Sequence, residues 1–330
     1  MTDCRPSAPH PRAALWLFAA ALSVPGLAVA QAWPAKPLRW IAPYPPGGSS
    51  DLVARAVSVR LTEQVGQAVV VDNRPGVGGS LGSEIAARSA PDGYTLLLAN
   101  IAPLAINPHI YPKLGYDVMR DFAQVTLLAT GTNVLVVGPS LQVKSVQELI
   151  ALARAKPGIV KYGSGGSGTP AHLTAEYLRL LTGIDLLHVP YKGTGQSIND
   201  LLAGQIDMVF ASPPIVSAHM RSGRLRGLAV TSLKRTPQSP ELPTVAESGI
   251  PEFQMVSWWG VVVPARTPDA VIARLNAGLR RSLEFPDVVE RLAALGIDPQ
   301  SGTPAEMRRF MADELARYGK LARQIGLKSE

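Results

Sequence analysis

A single cysteine, Cys4, stands in 330 residues, and it precedes the apolar run 13–22. A chain with one thiol has no disulfide framework and no cysteine-ligated metal. No H-x-x-x-H pair and no EF-hand loop occurs, and the five histidines are scattered, so no metal site is predicted. No P-loop is present, and no cofactor is predicted. Aromatic residues make up 6% and charged residues 17%. The net charge of +7 raises nucleic acid as a partner. The basic residues, however, come as scattered pairs (Lys234-Arg235, Arg280-Arg281, Arg308-Arg309) without interleaved aromatics to stack on bases. The reading is no nucleic acid, with a mild positive field that favours encounter with anions. No run reaches about 18 uninterrupted apolar residues, so no spanning helix is predicted.

The chain has 46% hydrophobic residues and enough length for a large core and two domains. Its N-terminus reads differently from the rest. Arg5 and Arg12 precede the apolar run 13–22, and Ala28-Val29-Ala30 supplies small residues in an A-x-A pattern. That order predicts a secretory signal over residues 1–30, cleaved before Gln31, and export.

Past it, strands and helices alternate. A short strand at 38–43 leads into Tyr44-Pro45-Pro46-Gly47-Gly48-Ser49-Ser50-Asp51. There Pro and Gly forbid regular structure, and Ser49, Ser50 or Asp51 can cap the next helix. Leu52, Ala56, Val59 and Val65 mark one face of that helix. A strand at 68–71, a Gly-rich loop at 73–79 and a helix at 80–89 follow, then a strand at 94–99. The rhythm restarts after two apolar runs at 125–129 and 133–138. Ser145-Val146-Gln147-Glu148 and Thr303-Pro304-Ala305-Glu306 are capping boxes. This β-loop-α repetition predicts parallel sheets with helices on their faces, in two α/β lobes joined by more than one crossing.

Three loops, 44–51, 73–80 and 163–170, end at helix starts. In an open α/β sheet such loops lie where ligands bind. The third is Gly163-Ser164-Gly165-Gly166-Ser167-Gly168, followed by Thr169 as N-cap and Pro170 at the first helical position. Bare N–H groups and the helix dipole there make a place for an anion. Gly163, Gly165 and Gly168 match G-x-G-x-x-G, with Asp185 beyond. The preceding strand is brief, though, and an exported chain seldom meets a dinucleotide. Gly78-Gly79-Ser80-Leu81-Gly82 matches the G-x-S-x-G serine elbow. Several loop residues separate Ser80 from the preceding strand, and Ser80 reads better as a helix cap. His172, one turn into its helix, is placed either to touch a ligand or to pack.

An ordered set of motifs then acquires a meaning that its pieces lack. Trp33-Pro34, Pro45-Pro46-Gly47-Gly48, Asp72-Asn73-Arg74-Pro75-Gly76, Ala90-Pro91-Asp92-Gly93-Tyr94, Ile106-Asn107-Pro108, His188-Val189-Pro190-Tyr191-Lys192-Gly193 and Leu242-Pro243-Thr244-Val245-Ala246-Glu247 together resemble the Bug family. These are the periplasmic substrate-binding proteins of tripartite tricarboxylate transporters. The resemblance implies an α/β periplasmic-binding-protein fold of class II type with two lobes joined by two crossing segments. Lobe I would be 31–130 with 255–330, and lobe II 131–254, with a hinge near 129–133 and 254–261. It implies a monomeric receptor, not an enzyme, that captures a carboxylate or dicarboxylate between the lobes and delivers it to membrane permease subunits. A sensory receptor for a signalling partner is the alternative, and a secreted hydrolase using Ser80 or Ser167 the remote one. Carried over, the ligand contacts are Tyr44, Pro45, Gly47, Gly48 and Ser49; Asn100, Ile101 and Ala102; Ser164, Gly165, Gly166, Ser167 and Thr169; and Ala211 and Ser212, with His172 beside them. This chain has Pro103-Leu104-Ala105 where relatives often carry a polar Thr/His pair, and Ala211-Ser212 where they often carry Asp-Asn. That departure predicts a less polar pocket, for a longer or aromatic acid.

Overall fold

The computed structural model describes residues 1–3, 33–166, 169–191 and 194–327. The expected signal segment therefore lies outside the described residues, apart from its first three. From Pro34 onward the chain forms one unit. Its elements run β1 (Leu38–Ala42), α1 (Ser49–Val65), β2 (Val69–Asn73), α2 (Ser80–Ala87), β3 (Thr95–Asn100), α3 (Asn107–Ile110), β4 (Phe122–Gly131) and β5 (Val134–Val137). Next come α4 (Val146–Ala155), β6 (Lys161–Ser164), α5 (Pro170–Thr182), β7 (Leu187–Pro190), α6 (Thr194–Leu202), β8 (Met208–Ala211), α7 (Pro213–Arg221) and β9 (Arg226–Val230). The chain closes with β10 (Ser257–Pro264), α8 (Asp269–Ser282), α9 (Pro286–Ala294), β11 (Ile297–Pro299) and α10 (Pro304–Gln324).

The strands form two sheets, ordered β11-β4-β10-β3-β1-β2 and β7-β6-β8-β5-β9. The α/β, two-lobed class read from the sequence is the one observed. The sheets are mixed rather than parallel, however. β1 pairs in parallel with β2 and β3, but β10 runs antiparallel to β3 and β4. In the second sheet β6 is parallel to β7 and β8, while β5 is antiparallel to β8 and β9. β5 and β10 are the strands that arrive from the other sheet, so no βαβ crossover sets their direction.

The crossings lie side by side. β4 ends at Gly131 opposite Ser257, the first residue of β10. Between them the amide of Asn133 donates to Thr231 Oγ1 at 2.9 Å, and the amide of Thr231 donates back to the carbonyl of Asn133 at 2.9 Å. Thr132 Oγ1 adds a bond to Ser232 Oγ at 3.1 Å. The amide of Met255 then reaches the carbonyl of Thr231 at 3.0 Å. Buried Phe253, Met255 and Trp258 carry one apolar core past this knot from one sheet to the other.

Two local expectations are corrected. In α1 the buried face is Val53, Ala54, Ala56, Val57, Leu61 and Val65, so Ala56 and Val65 face inward as read, whereas Leu52 and Val59 are exposed. The helix packs on β1, β2 and α8, and at two of the four positions the buried residue is a neighbour, Val53 in place of Leu52 and Leu61 in place of Val59. Thr303 and Glu306 do form a full capping box. At α4 Ser145 Oγ accepts from the amide of Glu148, but Glu148 accepts from the amide of Lys144 rather than of Ser145, so that box is shifted by one residue.

Candidate functional site

The loop after β1 is built around a buried carboxylate. Asp51 accepts from the amide of Gly47 at 2.9 Å and from Asn73 Nδ2 at 3.0 Å, and pairs with Arg55 at 2.9 Å. Asn73 Nδ2 also donates to the carbonyl of Tyr44 at 3.0 Å. Burial opposes the charge on Asp51, but the hydrogen bonds from Arg55, Gly47 and Asn73 outweigh it and hold the carboxyl below its ordinary range. Gly47 takes φ +82°, a left-handed conformation that suits glycine. The position before the helix is Gly48, without a side-chain cap, so none of Ser49, Ser50 and Asp51 caps α1. The first α-helical bond runs from the amide of Leu52 to the carbonyl of Gly48. Helical geometry therefore leaves the amides of Ser49, Ser50 and Asp51 without a carbonyl four residues back.

Beside this helix start, β3 ends at Asn100 and a π-helical turn spans Ala102–Ile106. Asn100 Oδ1 accepts from the Tyr44 hydroxyl at 3.0 Å and from the amide of Ala102 at 3.1 Å. Asn100 Nδ2 donates to Ser50 Oγ at 3.4 Å, and Trp259 Nε1 donates to the same oxygen at 3.1 Å. Burial, with Tyr116 nearby, pushes the Tyr44 phenol well above its usual range, so it stays a neutral donor. These residues line a cleft of about 570 Å³ together with Pro45, Pro46, Gly48, Ser49, Ile101, Pro170 and Ser257. Its lining side chains carry no formal charge. Any anion held there is met by neutral donors and by the N-terminal end of α1.

In the second lobe β6 runs through Ser164 into the Gly-rich loop, of which Ser167 and Gly168 lie outside the described residues. Ser164 is fully buried. Its Oγ lies 2.7 Å from His188 Nε2 and accepts from the amide of Gly166 at 3.1 Å. Thr169 stands at the N-cap of α5, but its hydroxyl turns back to donate to the carbonyl of Gly166 at 2.7 Å. His172 packs against His188 and Tyr162, with centroids 4.4 and 6.4 Å away. Burial, then the neighbouring His172, lowers the pKa of His188 to about 4, and burial lowers that of His172. Both imidazoles are neutral at pH 7. Ala211 is buried in β8 opposite Val134, and Ser212 heads α7. Pro213 and Pro214 fill the first turn of α7, so that helix start offers few N–H donors.

Of the residues named from the sequence, the cleft thus gathers Tyr44, Pro45, Gly48, Ser49, Asn100, Ile101 and Ala102. Gly47 is tied back to Asp51. Ser164, Gly165, Gly166, Thr169, His172, Ala211 and Ser212 are not among its lining residues, and Pro170 is the lobe II residue that is. The site residues named from the sequence did not include Pro46, Ser50, Pro170, Ser257 and Trp259, which also line it. The signal for Trp259 was the Trp258-Trp259 pair on a strand, where alternation must send one ring to each face. Trp258 donates to buried Glu314 at 2.9 Å, and Trp259 faces the cleft.

The two enzyme-like motifs have packing explanations. A Cβ on Gly163 would lie 2.5 Å from Ile206 Cδ1, so this glycine admits the neighbouring side chain. Ser80 is the first residue of α2 after an N-cap glycine, not the cap. Its buried Oγ accepts from Asn107 Nδ2 at 2.8 Å and from the Tyr116 hydroxyl at 3.3 Å. Among the described residues no group of three or more His, Cys, Asp or Glu is placed to hold a metal ion. Among the same residues no helix is long and apolar enough to cross a membrane.

Comparison with known proteins adds context to this geometry. Residues 53–327 match the family model described as tripartite tricarboxylate transporter family receptor. Protein BugT of Bordetella pertussis is 39% identical over 317 residues, 96% of this chain and 97% of its own. An R. palustris protein solved with adipate is 35% identical with a TM-score of 0.71, covering 89% of this chain and 98% of that one. MatC from Rhodopseudomonas palustris, solved with bound malate, is 28% identical with a TM-score of 0.67, covering 87% and 99%.

Proposed function

Because the chain belongs to the tripartite tricarboxylate transporter receptor family, the Bug proteins, we propose that it is a periplasmic receptor for a small organic acid, held between its lobes and handed to membrane permease subunits. The observation that carries this reading is the uncharged, donor-lined cleft at the start of α1. Carboxylate capture needs hydrogen-bond donors and a positive dipole end, and a binder that must release its cargo gains from neutral donors rather than a tight ion pair. Relatives solved with adipate and malate support the ligand class. In this reading the chain transports and does not turn its ligand over, and a signal over residues 1–30 exports it.

Lobe I comprises 31–130 and 255–330, and lobe II comprises 131–254. Closure is a hinge motion about 129–133 and 254–261 that swings the Gly-rich loop and α5 onto the ligand, the two sheets moving as rigid bodies. Ser164, Gly165, Gly166, Ser167, Thr169, His172, Ala211 and Ser212 would meet the ligand then, and Pro170 already lies at the mouth.

The lining offers Pro45, Pro46, Ile101, Ala102, Pro170 and Trp259 beside a few donors. Such a surface suits an acid with an apolar body, so adipate binds more tightly than malate. Isothermal titration with both acids, together with mass spectrometry of acid released from the purified protein, tests this. Tighter binding of malate would remove the preference, and no binding of any carboxylate would remove the receptor reading.

A further inference from the structure

The hydrogen-bond valences around Ser50 are almost fully assigned, and what is left over points one way. A hydroxyl oxygen has two lone pairs and one proton. Both partners facing Ser50 Oγ are donors. Trp259 Nε1 can do nothing but donate, and it does so at 3.1 Å. Asn100 presents Nδ2 at 3.4 Å. The orientation of that amide is fixed by its other end, because Oδ1 receives the backbone N–H of Ala102 at 3.1 Å and the hydroxyl of Tyr44 at 3.0 Å. The oxygen of Ser50 is thereby occupied, and among the described residues its proton has no acceptor. Ser50 is only 5% exposed and lines the cleft. Its hydroxyl is a donor without a partner, next to the first-turn amides of α1 and the second Nδ2 proton of Asn100.

We propose that Ser50 is the specificity-determining residue of the cleft, selecting an ionised carboxylate over the corresponding carboxamide. The proposal rests on the cleft being the ligand site. A carboxylate is acceptor-only at both oxygens, so it meets Ser50 Oγ–H with one and an α1 amide or Asn100 with the other. A carboxamide of the same shape satisfies one of these donors and turns its NH₂ against the next, leaving buried donors unpaired. Sites built to hydrogen-bond a given group discriminate strongly for that reason. Trp259 and Asn100 together enforce the selection, since their N–H groups take both lone pairs of Ser50 Oγ and leave it only a proton to offer.

The test is titration of purified protein with two acid/amide pairs, hexanoate with hexanamide and benzoate with benzamide. Wild type binds at least one acid about 10- to 100-fold more tightly than its amide, the range set by one charge-assisted hydrogen bond. Ser50→Ala lowers affinity for the acid by a similar factor and leaves the amide nearly unchanged, so the ratio collapses. Asn100→Asp, which sets a carboxylate oxygen where Nδ2 stands, weakens the acid further. Circular dichroism and thermal unfolding establish that each variant is folded, and the wild-type ratio is independent of both. An acid/amide ratio near one in wild type, or an undiminished ratio in folded Ser50→Ala, removes this assignment and leaves the receptor reading intact. If neither these acids nor adipate bind wild type, both fall together.

Discussion

The indole N–H of Trp259 donates to Oγ of Ser50 at 3.1 Å, joining residues 209 positions apart in the chain. One residue lies in the first turn of α1 and the other belongs to β10, the strand returning from the second sheet, so this bond ties the helix start to that strand. Replacing Trp259 with Phe keeps an aromatic plate but removes the donor. The expected outcome is a loss of about 1 kcal/mol of stability and weaker acid binding, because Ser50 then becomes free to act as an acceptor. Thermal unfolding and titration of Trp259→Phe check both. Unchanged affinity for adipate would show that the bond does not orient Ser50.

The same ring approaches the end of β4. A Cβ added at Gly131 would lie 3.2 Å from Trp259 Cη2 and Cζ3 and 3.7 Å from Ser257 Cβ. The indole is held at its nitrogen, so it can yield little. Gly131→Ala should cost about 1–3 kcal/mol by overpacking and shift the tryptophan emission. A variant as stable as wild type would mean that the ring moves freely.

How much of this was legible in the residues varied by element. The loop at 44–51 and the β3 end at Asn100 could be placed because Pro-Gly clusters and an apolar run ending in a polar residue mark strand-to-helix corners locally. The direction of β5 and β10 could not, because an isolated apolar run does not record which sheet its neighbours belong to. Ser50 illustrates a further limit. Read locally it is one of three possible helix caps, and its pairing with Trp259 depends on a contact across most of the chain. Trp259 itself was half legible, since alternation splits the Trp258-Trp259 pair but does not say which ring faces the core. The motifs at Gly163 and Ser80 are set aside on sequence grounds, and the structure supplies the reason that they occur, because close packing selects glycine as readily as ligand approach does.

The imidazole pair behind the Gly-rich loop predicts a pH response. His188 is lowered from 6.5 to about 4, with burial the first cause and His172 the second, while Glu176 opposes the shift. His172 is lowered too, by burial and by Arg179 against Glu176. The unfolded chain therefore binds more protons than the folded one between about pH 6.5 and 4. The contribution is fully present above 6.5 and is lost as pH falls through that window. Glu314 gives an opposite slope, because burial raises its carboxyl. The useful comparison is thus the melting temperature of wild type against His188→Gln across pH 7 to 4, with the variant showing the flatter acid limb. Parallel profiles would show that His188 is not the responsible group.

The crossing segments carry the last prediction. Thr231 is fully buried, and its Oγ1 accepts the amide of Asn133 at 2.9 Å and lies 3.3 Å from Thr132 Oγ1. Thr231 thus holds the first crossing through its hydroxyl oxygen, while its carbonyl accepts the amide of Met255 from the second at 3.0 Å. Thr231→Val keeps the shape and deletes the acceptor, leaving the Asn133 N–H unsatisfied at a cost of about 1–3 kcal/mol. If closure turns about this knot, the substitution also alters the balance between open and closed forms, and affinity changes although residue 231 lines no part of the cleft. Small-angle scattering with and without adipate, beside unfolding curves, separates the two effects. A destabilised variant that compacts on adipate and binds it like wild type would make Thr231 a stability residue and place the hinge elsewhere.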